Sequence, residues 1–202
     1  MVTGDLFPLI VTEFCDLLAI PLTKIFNLVL HSNDWPAQGK VEAVTTIPKK
    51  SNASTPGECR NISCTPLFSK VLESFMMDRI NEEVKIDLKQ YGGVKKCGVE
   101  QLLIQAWDNI LRGLENNRGS VNLISINFAK AFNRMSHQAC LKSFKKKGAS
   151  QGTINLIASF LTSRQMSIKV GQSWSSKRPI RGGSPQGCVS ANALFCATVE
   201  YL

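Results

Sequence analysis

An α+β fold is what the sequence predicts, on three observations. Helical and strand-like apolar patterns are mixed without the regular alternation of a parallel α/β sheet. No internal repeat is present. The 202 residues are 44% hydrophobic and 19% charged, with 14 Gly and 8 Pro, the balance of a chain that can bury a core in one domain or one and a half. That balance excludes a disordered chain, a collagen-like repeat and a disulfide miniprotein.

The elements follow in order. Residues 8–31 read as helix, with Leu17, Leu18, Ile25 and Leu28 at helical spacing and Pro21 expected to break or kink it. Trp35-Pro36 opens an extended stretch through Val41, Val44 and Ile47. The polar run KKSNASTPGECR (49–60) reads as a loop. Residues 66–84 form an amphipathic helix through Phe68, Val71, Phe75 and Ile80, with Pro66 suited to its first turn. A second amphipathic helix spans 100–114 through Leu103, Trp107, Ile110 and Leu114. VNLISINF (121–128) suits a short buried strand. Helices are expected at 137–147 and 153–161, the second with Thr153 as N-cap. QMSIKV (165–170) alternates as a strand, and Gly171-Gln172 turns it into a hairpin with SWSSKRPI. Residues 188–201 are expected to be helical.

Charge is distributed unevenly. Residues 1–115 carry 12 Lys/Arg against 14 Asp/Glu, whereas the 84 residues 116–199 carry 12 Lys/Arg and no acid. With Glu200 the total is +9. Such asymmetry points to a polyanionic partner, with a solvated basic face as the alternative. Seven Cys without a Cys-x-x-Cys spacing suit reduced, mostly buried thiols in an intracellular protein. No apolar run reaches the ~18 residues of a membrane span. The N-terminus lacks the basic start of a signal peptide, so neither secretion nor a membrane is expected.

Three segments could carry chemistry. Lys49, Lys50 and Arg60 flank the 51–59 loop, where an ammonium and a forked guanidinium suit a triphosphate; a solvated loop is the plainer alternative. INFAKAFNRMSH (126–137) places a polar turn at a strand end, where a carboxylate would hold a metal ion in nucleotidyl transfer. Asn127 stands there instead and offers one neutral oxygen. His137 reads as a helix-cap or surface histidine, since no second ligand lies at metal spacing. RGGSPQGC (181–188) is a glycine-rich turn whose backbone could approach a ligand, or simply a tight connection.

Together and in order, these segments resemble the reverse transcriptase domain of non-LTR retrotransposons. The resemblance starts at PLTKIFN (21–27) and Trp35-Pro36, and continues through IPKK (47–50) and Arg60-Asn-Ile-Ser, where the family usually has Arg-Pro-Ile-Ser. KVLESFMMDRI (70–80), QYGG (90–93), the first palm motif INFAKAFNRMSH and the Pro-Gln-Gly motif GGSPQGCVSANALF (182–195) complete it. It implies a right-hand polymerase-like fold, with fingers over 1–118 and an incomplete palm over 119–202, and RNA-directed DNA polymerase as the family activity. It further implies that Lys49 and Arg60 contact the incoming triphosphate and that Phe132 is the gate against a ribose 2′-hydroxyl. Ser184, Pro185, Gln186 and Gly187 would position nucleotide and template. RNA or DNA is the implied partner, and the basic residues placed for it are Lys130, Arg134, Lys145, Lys146, Lys147, Arg178 and Arg181.

Two departures shape the expectation. Asn127 replaces the first catalytic Asp, and the sequence ends at Leu202 before the family's Tyr/Phe-Ala-Asp-Asp hairpin. The intact family uses Mg²⁺; for this chain no cofactor, no metal site and no intact catalytic residue is expected. A loss of ~6 kcal/mol in transition-state stabilisation would slow transfer more than ~10⁴-fold. The expected protein is therefore a reverse transcriptase fragment without activity of its own, prone to self-association. The alternatives are a basic nucleic-acid-binding module and a truncated piece of an active element.

Overall fold

The computed structural model describes residues 8–85, 87, 89–94, 97–116 and 119–201. The expected boundary at residue 118 lies outside the described residues. Helix α1 (Pro8–Glu13) leads into α2 (Cys15–Ser32). Strand β1 (Val41–Pro48) and strand β2 (Cys59–Cys64) form a hairpin, followed by α3 (Leu67–Glu83) and α4 (Val99–Glu115). The short α5 (Ala131–Arg134), α6 (His137–Lys146) and α7 (Gln151–Leu161) come next. Strands β3 (Gln165–Val170), β4 (Ser173–Trp174) and β5 (Arg178–Pro179) precede α8 (Ala191–Val199). The α+β expectation holds.

The sheet runs β2-β1-β3-β4, with β5 also paired to β3. β1 pairs antiparallel with β2 and parallel with β3, in register Val41↔Gln165 to Thr45↔Lys169. Strands from the acidic first half and the acid-free second half thus share one ladder. Behind it, the core is mostly helical: Leu72, Met76 and Ile80 of α3 pack with Cys140 and Phe144 of α6, Leu156 and Phe160 of α7, and Leu194 of α8. Trp35 closes the core edge-on against Phe160, ring centroids 4.8 Å apart.

Several expectations need correction. No strand forms over 121–128; Leu123, Ile124 and Ile126 are 77%, 82% and 76% exposed. Among the described residues it pairs with no strand and no layer covers it, so its apolar side chains stay in solvent although β2 is an edge strand of the sheet. Pro21 does not break its helix but sits inside α2, where it removes a single backbone donor. Helix α2 is also long and apolar enough, by length and composition, to cross a bilayer, yet its Phe26 and Val29 are buried in the core. The cap of α7 is Ser150, whose hydroxyl accepts from the Thr153 amide at 3.2 Å, while Thr153 is buried. A three-residue shift lets Thr153 donate to Glu83 Oε1 at 2.8 Å. Of the seven free cysteines only Cys140, Cys188 and Cys196 are buried, because the others fall on hairpin, loop and helix surfaces.

One ion pair ties the two halves at the sheet. Glu42 of β1 and Arg164, just before β3, are 2% and 1% exposed, with Nε donating to Oε1 at 2.6 Å. Arg164 also donates to the Phe160 carbonyl and lies 4.7 Å from that ring's centroid. Removing one partner strands a buried charge. Arg164→Met is expected to cost about 3–5 kcal/mol, whereas the apolar pair Glu42→Leu/Arg164→Met recovers most of it; denaturant unfolding of the three variants checks this.

A second tie depends on pH. Partial burial pushes the Glu83 carboxyl up, but the Ser150 amide, the Thr153 and Ser150 hydroxyls and Arg79 together outweigh it and hold it below the usual carboxylate range. A depressed native pKa gives stability that is present above the unfolded value of ~4.3 and is lost as pH falls through the native one. Glu83→Gln should therefore destabilise by about 1–2 kcal/mol at pH 7. That deficit should fade in acid, as unfolding curves across pH will show.

Candidate nucleotide and nucleic-acid site

The β1–β2 hairpin positions two cations. Ile47 pairs with Arg60 across the ladder, and Lys49, two residues beyond Ile47, shares that face. Both are exposed. The loop between them is held by the Lys49 amide on the Glu58 carbonyl at 2.8 Å. Glu58 caps it from inside, its carboxylate accepting from the Ser54 and Thr55 amides and the Thr55 hydroxyl. These bonds hold Glu58 below the usual carboxylate range. Lys49 Nζ donates to the Gly57 carbonyl at 3.1 Å and Lys50 approaches Glu58 at 3.9 Å, which leaves Arg60 the less committed cation.

The 181–190 turn is fastened on three sides. Its Gly183 and Ser184 amides donate to the Met135 and Phe132 carbonyls, each at 2.9 Å, and His137 Nε2 donates to the Gly183 carbonyl at 2.6 Å. The Ser63 amide at the end of β2 donates to the Gln186 carbonyl at 2.8 Å. From α3, Glu73 Oε1 accepts from the Ser190 amide at 3.0 Å and from its hydroxyl at 2.5 Å. Residues distant in sequence therefore meet at the Ser184–Gly187 turn: the Arg60 strand and the Phe132 helix both bond to it.

Within this assembly the expected site residues differ in exposure. Ser184 and Pro185 are buried, Gln186 is half-buried and Gly187 is exposed. Phe132 is half-buried against Phe195, centroids 5.2 Å apart, and Phe128 meets the same ring at 6.1 Å. Asn127 is exposed in the uncovered 121–128 segment. Lys130 caps α5 in the left-handed region at φ 55°. Lys130, Arg134, Lys145, Lys146, Arg178 and Arg181 are exposed, and among the described residues none forms an ion pair. Lys147 stands apart, because it pairs with Glu200 against the body of the protein.

Sequence reasoning missed Glu73, Ser63 and the histidine contact. The signal for Glu73 was present: a carboxylate in register with Ser69, Leu72, Met76 and Ile80 falls on the stripe of α3 that is buried. A carboxylate on such a stripe needs a partner from elsewhere in the chain. His137 is neither a mere cap nor a surface group, since its ring bonds the turn. Burial, and next the Glu73 charge beside it, push the Cys188 thiol to about 12, so this cysteine is a packed neutral group and not a nucleophile.

The residues around Asn127 do not fit a divalent cation. The donor set is one neutral amide oxygen in a stretch without carboxylates, and among the described residues no three His, Cys, Asp or Glu side chains group as ligands.

A family model described as "Reverse transcriptase (RNA-dependent DNA polymerase)" matches residues 47–202. The chain belongs to that family. Its relatives place it with the non-LTR retrotransposons. It is 28% identical to the Retrovirus-related Pol polyprotein from type-1 retrotransposable element R2 of Popillia japonica, over 78% of this chain and 22% of the relative. It is 24% identical to the Retrovirus-related Pol polyprotein from type-2 retrotransposable element R2DM of Drosophila melanogaster, over 90% of this chain and 17% of the relative. With the RNA-directed DNA polymerase from mobile element jockey of the same fly it shares 27% identity, over 86% and 19% respectively. The chain thus spans about a fifth of the length of these relatives.

The turn geometry yields a direct test. Gly183 has φ +83°, and a Cβ there would lie 2.7 Å from the Phe132 carbonyl oxygen and 2.8 Å from that of Asn133. Gly183→Ala is expected to destabilise by about 2 kcal/mol or more, through strain and the displaced Phe132 and Met135 contacts. Thermal melting beside Gly182→Ala, where the nearest carbonyl is at 3.8 Å, measures the difference.

Proposed function

We propose that this chain is a nucleic-acid-binding part of a retrotransposon reverse transcriptase that does not polymerise by itself. In that reading residues 1–118 are fingers-like and 119–202 a partial palm. The observation that carries it is the pairing of exposed, carboxylate-free cations with Asn127 where the family's first catalytic acid stands. Lys130, Arg134, Lys145, Lys146, Arg178 and Arg181 would neutralise phosphates of RNA or DNA. Lys49 and Arg60 would meet a nucleotide's phosphates, Phe132 would bound its sugar, and the Ser184–Gly187 turn would set the base and template position. Buried Ser184 and Pro185 act there through the shape of the backbone, with Gln186 and Gly187 as the part that reaches a ligand. Metal-held phosphoryl transfer needs anionic oxygens, and residues 116–199 supply none.

A primer–template titration across salt, run beside primer extension, tests this. Affinity should fall at a log–log slope of about −0.7 to −0.9 per phosphate contact, with little sequence preference and no extension. Lys145→Ala/Lys146→Ala should flatten the slope, while Lys147→Ala, which breaks the Glu200 pair, should lower stability and leave the slope alone. Salt-independent binding, or extension by the purified chain, would refute the proposal.

Self-association is the second expected property. Helix α4 has no buried residue, and its Val99, Leu103, Ile104 and Trp107 are exposed together with the apolar 121–128 segment. Monomeric proteins rarely expose contiguous apolar patches beyond a few hundred Å². Sedimentation should show oligomers that Leu123→Ser/Ile124→Ser reduces; a wild-type monomer at the highest soluble concentration would contradict this.

A further inference from the structure

Strands β3, β4 and β5 carry an aromatic ring among cations. Trp174 of β4 stands opposite Lys169 of β3 in the ladder and remains 41% exposed, outside the buried core cluster. Lys169 Nζ lies 5.9 Å from the ring centroid, within cation–π range. Lys177, just before β5, and Arg178 of β5 follow, both exposed, and among the described residues none of the three cations pairs with a carboxylate. Trp174 also shares the wall of a cavity of about 550 Å³ with Ser167, Lys177 and Phe68, between α2, α3 and the sheet. The cavity leaves open space beside Trp174.

A lone exposed tryptophan is ordinary on a protein surface. Here it is surrounded by positive charge in a stretch with no acid. A ligand that satisfies both features carries regularly spaced negative charge and flat apolar rings that it can turn outward. Single-stranded nucleic acid does; a duplex keeps its ring faces stacked inside and offers only phosphates, sugars and base edges. We infer that Trp174 is a stacking platform for an unpaired base of single-stranded RNA or DNA, with Lys169, Lys177 and Arg178 holding the flanking phosphates. This assignment rests on the nucleic-acid-binding reading above and adds a base contact to it.

The test compares two probes of the same length: oligo(dT) of about 12 nucleotides, and an abasic chain that keeps every phosphate but has no base to stack. The whole chain is titrated with each, as wild type, Trp174→Ala and Trp174→Phe, with circular dichroism confirming each fold. Trp174→Ala should lose about tenfold in affinity for oligo(dT) and nothing for the abasic chain, and Trp174→Phe should keep most of the wild-type preference. Equal binding of both probes by wild type and Trp174→Ala overturns the platform while leaving phosphate binding intact. An equal loss by Trp174→Ala on both probes also overturns it, because the role would then be structural. If wild type binds neither probe, the broader nucleic-acid reading fails with it.

Discussion

A half-chain with 12 cations and no acid cannot satisfy itself, and the fold depends on carboxylates lent by the other half. Glu42 meets Arg164 at the sheet, Glu73 meets Ser190 behind the turn, and Glu83 takes Ser150 and Thr153 at the start of α7. Asp34 accepts from Ser159, whose hydroxyl in turn receives the Trp35 amide. The partners are 67 to 125 residues apart. Each joins an element of the first half to one of the second, so long-range polar bonds and the apolar core between α3, α6, α7 and α8 enforce the same arrangement. The buried ties of Glu42 and Glu73 cost several kcal/mol when half is removed, the more exposed ones of Glu83 and Asp34 less.

The same arrangement bears on chemistry. Glu73, the carboxylate bonded to the Pro-Gln-Gly turn, is fully buried and engaged with Ser190, and its position inside α3 gives it no route to a ligand in solvent. What the turn presents outward is backbone, Gln186 and Gly187, set between the end of β2 and the Phe132 helix. What surrounds it is positive. Backbone amides, one aromatic wall and exposed cations are the groups that the proposed binding of phosphate-bearing chains would use. Position 127 offers it a neutral amide oxygen where a metal ion would need an anionic one.

Much of this was legible in the residues. Helices at 66–84, 137–147 and 153–161 and the strand at 165–170 follow from local periodicity, which is enough when each element buries one face. The order of the motifs from IPKK to Pro-Gln-Gly marks the family, which the comparison with known proteins shows. The failures are those of nonlocal context. The 121–128 run has a strand's composition, but a ladder partner is not a property of the run itself. Thr153 looks like a cap until Glu83, 70 residues away, takes its hydroxyl. Nothing local to Arg164 shows that it is buried, since its carboxylate partner Glu42 lies 122 residues away. The exposure of Trp174 was equally hidden, since an alternating strand pattern does not say which face is covered.

A buried first-half carboxylate, Glu73, holds the Pro-Gln-Gly turn in place through Ser190. Amide hydrogen exchange on wild type and Glu73→Gln measures it most directly. Gly183, Ser184 and Ser190 should lose protection in the variant while the amides of α6 and α7 keep theirs. Unchanged protection across 183–190 would contradict it.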